Sequence, residues 1–298
     1  MDAIGQFFAA IPFELIIIQT INGIVTGMIL ALIASGLTLI FGIMDVVNFA
    51  HGELFMLGAY VGVIIISTTG SFWLALIGAA LIVALLGAAM QIVALRPLIG
   101  RDPLNTILAT FGISLVLQNY ALWAFGPVAR KIGEPITGQF TLFYLQYPWY
   151  RLLIAALSAA IIGGFWLYLK HGRFGVWIRA TAQDRVMAQA MGIPVPLVYT
   201  GVFAIGAAMA AASGVLFAPM VGVNHTMGLD WLLKAFIVVV VGGMGNFGGS
   251  IAAAIFISLI EAYSSIWLDP SRAVIVSFVV LILTLLFRPT GLFVATPR

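Results

Sequence analysis

Apolar stretches follow one another from residue 14 to residue 287, joined by short polar links. A spanning helix needs about 20 predominantly apolar residues. Blocks at 14–43, 53–69, 72–95, 105–125, 149–169, 196–218, 231–241, 250–267 and 273–287 predict an all-α, polytopic transmembrane helical bundle. It has about eight or nine spans, depending on how interrupted, re-entrant-like segments are counted. Only 8% of the 298 residues are charged, against about 25% in soluble domains, so no water-soluble surface can be assembled. Residues 1–298 read as a single transmembrane domain.

Several chemistries are excluded. The chain has no cysteine, hence no disulfide or thiolate metal site. Its three histidines, His51, His171 and His225, are too widely spaced for a metal site, and no His-x-x-x-His occurs. The three lysines, Lys131, Lys170 and Lys234, all lack a preceding glycine, so a G-x-x-x-x-G-K-[ST] phosphate loop is absent. No nucleophile elbow or convergent reactive set is present, so no catalytic residue, cofactor or nucleic-acid partner is expected. Residues 1–10 hold no Lys or Arg, unlike the basic start of a signal peptide.

The basic residues orient the chain. Arg96, Arg101, Lys170, Arg173, Arg179, Arg185, Arg288 and Arg298 fall on one side of the alternating spans. Arg130, Lys131, Arg151 and Arg272 fall on the other, and Lys234 lies within a block. The positive-inside rule puts the first side, with the C-terminus, in the cytoplasm. Trp73, Trp123, Trp149, Trp231 and Trp267 then mark outer interfaces, and Trp166 and Trp177 an inner one. The N-terminal side stays open: Asp2 and Glu14 lean it outward, whereas a re-entrant first hairpin puts it inside.

Two interruptions carry the functional signal. Residues 45–53, DVVNFAHGE, break a greasy stretch with Asp45, Asn48, His51, Gly52 and Glu53. Lipid offers no hydrogen bonds, so such groups belong against protein or a cavity. Residues 237–250, IVVVVGGMGNFGGS, hold Gly242, Gly243, Gly245 and Asn246. Paired interrupted segments border the solute path in many transporters; the simpler alternative is glycines serving tight helix packing. His51 and Glu53 suit either a proton relay or a structured interfacial turn. Asp230 and Lys234, four apart, predict a local ion pair. Glu261 is either functional or snorkels toward water.

The loop 170–196 carries its own helix signals. Thr181 and Asp184 have capping-box spacing, Gly192 is placed as a stop, and Pro194 blocks continuation. A helix over about 182–191 results, with Val186, Met187, Ala190 and Met191 on one face. So short a helix needs a surface to pack on. Headgroups, the protein itself and a partner's groove all qualify.

Three segments together, GLTLIFGIMDVVNFAHGELFMLGAY (36–60), RATAQDRVMAQAMGI (179–193) and VVVGGMGNFGGS (239–250), resemble the LivH-type permease subunits of bacterial branched-chain amino acid ABC importers. The resemblance spans essentially the whole chain. It implies a bacterial inner-membrane location and a second, LivM-like permease subunit. It also implies two cytoplasmic ATPase subunits and a periplasmic substrate-binding protein. It makes Ala182–Gly192 a coupling segment, with Asp184, Arg185, Met187, Ala190 and Gly192 as ATPase contacts. The solute stays open, because relatives import branched-chain amino acids, urea, amides and other amino acids. The alternative class is an ion- or proton-coupled carrier using Asp45, His51 and Glu53 without an ATPase.

Overall fold

A computed structural model describes residues 12–142 and 145–293; the expectations for residues 1–10 and Arg298 lie outside them. Helix α1 (Phe13–Met44) is followed by α2 (His51–Thr69) and α3 (Phe72–Met90). Helix α3 continues through a π turn (Gln91–Leu95) and a 3-10 turn (Arg96–Leu98). Then come α4 (Pro103–Phe125), strands β1 (Gln139–Leu142) and β2 (Leu145–Pro148), and α5 (Trp149–His171). The remaining helices are α6 (Arg173–Gln183), α7 (Arg185–Ala190), α8 (Val195–Val221), α9 (Met227–Gly242), α10 (Phe247–Ser264) and α11 (Pro270–Phe287).

Seven of the described helices are long and apolar enough to cross a membrane: α1, α2, α3 with its two turns, α4, α5, α8 and α10. The expected eight or nine included the 231–241 block, which is the body of α9. At 16 residues, about 24 Å, that helix is shorter than the roughly 30 Å of hydrocarbon. Residues Arg272–Phe287 of α11 form a further short apolar helix. Apart from helices, the chain forms the antiparallel β1–β2 hairpin, with Phe140 opposite Tyr147. The Tyr147 hydroxyl donates to Asn22 Oδ1 (2.9 Å) and ties the hairpin to α1.

Burial separates core from rim. The most apolar windows of α1 and α8 are each 78% buried, whereas those of α4 and α5 are 17% buried. Helix α1 packs on α8, α9 and α10, and α8 also packs on α2 and α3. Small residues set these contacts. A Cβ added at Gly36 of α1 would stand 2.7 Å from the Gly206 carbonyl oxygen of α8. One at Gly58 of α2 would collide with Ala211, and one at Gly214 of α8 with the Phe55 carbonyl. Without a hydrophobic drive between helices in lipid, such close backbone approach supplies the packing.

Three expectations for polar and aromatic groups are corrected. Lys234 pairs not with Asp230 on its own helix but with Glu261 on α10, at 2.7 Å. Inside the bundle a well-placed tertiary carboxylate outcompetes a solvent-facing i,i+4 neighbour. Glu261 also accepts from Ser277 Oγ of α11 (2.7 Å), so it is bound within the bundle rather than snorkelling. Trp231 is only 8% exposed, tilted on Phe55 and edge-on to Phe217, and is buried in the core rather than facing an interface.

Candidate translocation and docking site

Helix α1 ends at Asp45, which adopts φ 53° with its N–H on the Phe41 carbonyl. Aspartate tolerates this left-handed geometry better than most residues. The chain then doubles back. Asn48 Oδ1 accepts from Ala50 N–H (3.1 Å) and turns the backbone into α2. The first residue of α2, His51, donates from Nε2 to the Ile33 carbonyl in the middle of α1 (3.1 Å). Since a carbonyl only accepts, Nε2 carries the ring proton. Ile33 is eleven residues, about 16 Å, before Met44, so α2 starts well inside the depth that α1 crosses.

Glu53 sits one turn-fraction further on, 1% exposed, accepting from Ser114 Oγ of α4 (3.2 Å). Among the described residues its Oε2 has no hydrogen-bond partner, and neither has His51 Nδ1 or Asn48 Nδ2. The first turn of α2 packs on the first turn of α9. A Cβ at Gly52 would collide with the Gly228 carbonyl, and a Cβ at Gly228 would stand 2.5 Å from Glu53 Oε2. His51 and Glu53 are not hydrogen-bonded to each other, and Asp45 is exposed while both of them are buried. The five polar-break residues are therefore divided between a surface turn and a buried anchor.

The glycine cluster joins α9 to α10. Asn246 Oδ1 accepts from Gly249 N–H (3.0 Å) and caps α10. Gly243 (φ 95°) and Gly245 (φ 83°) occupy backbone conformations that side chains resist. Gly245 lies against Gly42 at the end of α1; a Cβ at Gly42 would be 3.0 Å from its Cα. Four residues deeper, Thr38 and Ser250 share a 2.6 Å hydroxyl hydrogen bond. The cluster thus meets the start of the polar break, whereas Gly52 and Glu53 meet α9 at its other end. The segment after α11 completes the joint: Leu292 N–H donates to the Val241 carbonyl (2.8 Å), and Asn246 Nδ2 to the Phe293 carbonyl (3.1 Å). The sequence held no signal for this closing contact.

A cavity of about 530 Å³ opens here, lined by Thr38, Gly42 and Gly245 together with Lys170, Arg179 and Ala182. Asp45 lines an adjoining cleft with Ala182, Asp184 and Arg185. Arg96 and Arg185 line a third. The glycine cluster, Asp45, the basic α5–α6 connection and α7 therefore share one end of the bundle; Arg151 and the hairpin hold the other.

The short helix in the 170–196 loop is α7, Arg185–Ala190 rather than 182–191. Asp184 itself is the cap, accepting from Val186 N–H (2.8 Å) and Met187 N–H (2.9 Å). Thr181 lies buried inside the preceding helix α6, which uses Ala182 and Gln183 as its last turn. Gly192, at φ 82°, ends the element as its position predicts. The expected face is bare: Val186, Met187 and Met191 are 72%, 60% and 76% exposed, and Ala190 is exposed beside them. Only Ala188 is buried, against the chain's own helices.

Broken apolar helices around a small-residue core, with an uncovered capped helix at one end, define a polytopic membrane permease. The family model described as branched-chain amino acid transport system, permease component, matches residues 19–285. The high-affinity branched-chain amino acid transport system permease protein LivH of Salmonella typhimurium is 34% identical over 92% of this chain and 94% of its own length. The corresponding BraD of Pseudomonas aeruginosa is 32% identical over 92% and 94%. A probable LivH of Methanocaldococcus jannaschii is 25% identical over 91% and 90%. The chain belongs to the permease components of branched-chain amino acid ABC transport systems.

Proposed function

We propose that this chain forms half of the membrane path of an ATP-driven importer for branched-chain amino acids or related small solutes, such as urea and amides. The observation that carries this reading is the family match over residues 19–285. A second, LivM-like permease supplies the other half. Two cytoplasmic ATPases and a periplasmic binding protein complete the system. The bilayer is a bacterial inner membrane, with the basic end and the C-terminus in the cytoplasm. Asp45, Gly242, Gly243, Gly245 and Asn246 border the inner mouth of the path. Asn48, His51, Gly52 and Glu53 shape its wall at depth, where lipid would not tolerate them.

Coupling runs through residues 182–192. Met187 and Ala190 enter a groove on an ATPase, Asp184 and Arg185 lie at its rim, and Ala182 and Gly192 hold the two ends of the element. An exposed, capped six-residue helix that cannot hold itself together supports this assignment. The test is uptake by vesicles. The chain alone should give none under any ion gradient, and adding the second permease, the ATPases and ATP should restore it. Gradient-driven uptake by the chain alone would replace this reading with a carrier using Asp45, His51 and Glu53.

A further inference from the structure

Where α3 gives way to its π turn, a cavity of about 240 Å³ opens between that turn, α7 and the start of α8. Gln91, Arg96 and Ile99 line it from the end of α3, Arg185 and Gln189 from α7, and Tyr199 from α8. None of the described lining residues is acidic. Arg96 and Arg185 are exposed at its mouth, and neither forms an ion pair among the described residues. The carboxylates nearest in sequence are engaged elsewhere. Asp102 caps α4 by accepting from Leu104 N–H (2.9 Å), and Asp184 caps α7. Asp45 shares a separate cleft with Arg185 without pairing to it.

Gln91 makes this more than a solvated basic surface. It is 0% exposed, its Oε1 accepts from Thr200 Oγ1 (2.7 Å), and its Nε2 has no acceptor among the described residues. An unmet buried donor is costly, and π turns inside helices recur at functional sites. The cavity thus offers amide and guanidinium donors and no anion to receive them. It also lies where an apolar surface ends. Ile92 and Val93, one turn before Arg96, are 47% and 76% exposed. Basic pockets between helices at that level hold lipid headgroups.

We propose that this cavity binds the headgroup phosphate of an anionic phospholipid. Arg96 and Arg185 hold the phosphate oxygens from opposite walls, the pairing that guanidinium geometry favours. Gln91 donates from the buried end, and the acyl chains run along Ile92 and Val93. The apolar rim favours a lipid over an acidic side chain of an ATPase. With five N–H donors, Arg185 serves this site and the rim of the ATPase groove together. A lipid held there ties α7, otherwise buried only at Ala188, to the end of α3.

Because the chain has no native cysteine, Ile99→Cys places its only thiol in the cavity, and Arg101→Cys places one outside the lining. The complete transporter, stripped of lipid in detergent, is treated with an uncharged maleimide, and modification of this chain is read by mass. Phosphatidylglycerol is expected to slow the reaction at Ile99→Cys and not at Arg101→Cys. Zwitterionic phosphatidylcholine and inorganic phosphate at equal concentration should slow neither. Adding Arg96→Gln to Ile99→Cys should raise the phosphatidylglycerol concentration needed roughly tenfold, the loss of one charge-assisted hydrogen bond. Pro196→Cys, also in the lining, serves if Ile99→Cys does not assemble. Equal protection by phosphatidylcholine, equal slowing at Arg101→Cys, or protection unchanged by Arg96→Gln overturns the proposal. Protection by inorganic phosphate as strong as that by the lipid overturns it too, in favour of a soluble anion. So does a lining thiol shielded without any lipid: shielding that ends when the ATPases are removed makes an ATPase side chain the occupant, and shielding that persists makes the cavity closed.

Discussion

The Thr38 and Ser250 hydroxyls lie 2.6 Å apart, both fully buried, and join α1 to α10 beside the glycine cluster. Each would otherwise be a polar group in an apolar interface. Such interhelical hydrogen bonds in membranes average about 0.6 kcal/mol, up to about 1.7. A double-mutant cycle with Thr38→Val and Ser250→Ala should return a coupling in that range by unfolding in detergent. Additive effects would mean that the two hydroxyls do not support one another.

Gly245 combines φ 83° with a close approach to Gly42, and Gly243 sits at φ 95°. Val at either position is expected to reduce uptake strongly while the subunits still co-purify, since strain of roughly 1–3 kcal/mol falls on the joint rather than the core. Normal uptake by both variants would show that the joint is unconstrained during transport.

Met187 and Ala188 are neighbours with opposite surroundings, 60% and 4% exposed. Met187→Asp should uncouple or release the ATPases, at roughly 1–3 kcal/mol of lost contact, while the permease inserts normally. Ala188→Asp should instead lower the amount of folded permease, because the carboxylate is forced against the chain itself. ATPases that co-purify with unchanged solute-stimulated hydrolysis in Met187→Asp would remove α7 as the docking element.

Arg101 and Gln183 are expected on the cytoplasmic face. Arg101→Cys and Gln183→Cys, each in a chain without other thiols, should resist an impermeant reagent outside intact cells and react in inverted vesicles. Labelling of both from outside would invert the topology.

Local chemistry made α7 legible: Asp184 can cap, Gly192 can turn left-handed, and Met187 and Met191 fall on one bare face. Thr181 has the same capping chemistry, but α6 runs through it, and only the tertiary path decides which of two eligible caps is used. The broken segments were legible as interruptions because lipid penalises Asn48, His51 and Glu53. Their partners were not. Ile33 contributes a backbone carbonyl, Gly228 an absence of side chain, and Ser114 a hydroxyl sixty-one residues from Glu53. None of these leaves a mark at fixed spacing. Lys234 shows the same limit: the rule for helix neighbours points to Asp230, and the fold supplies Glu261. Helix α9 fell short of a span for a reason already visible in the sequence: its apolar block, 231–241, is too short to cross alone.

Contacts such as Gly36 with Gly206, Gly58 with Ala211 and Gly214 with Phe55 set main chain against main chain. A seam of that kind holds no rotamers to exchange and no slack to absorb a shift. Small displacements along it are resisted at once, much as meshed teeth resist slipping. Helices α1, α2 and α8 must therefore travel as one stiff body through any working cycle. The give has to come from where side chains, not backbones, make the seal: the thinly held α4 and α5.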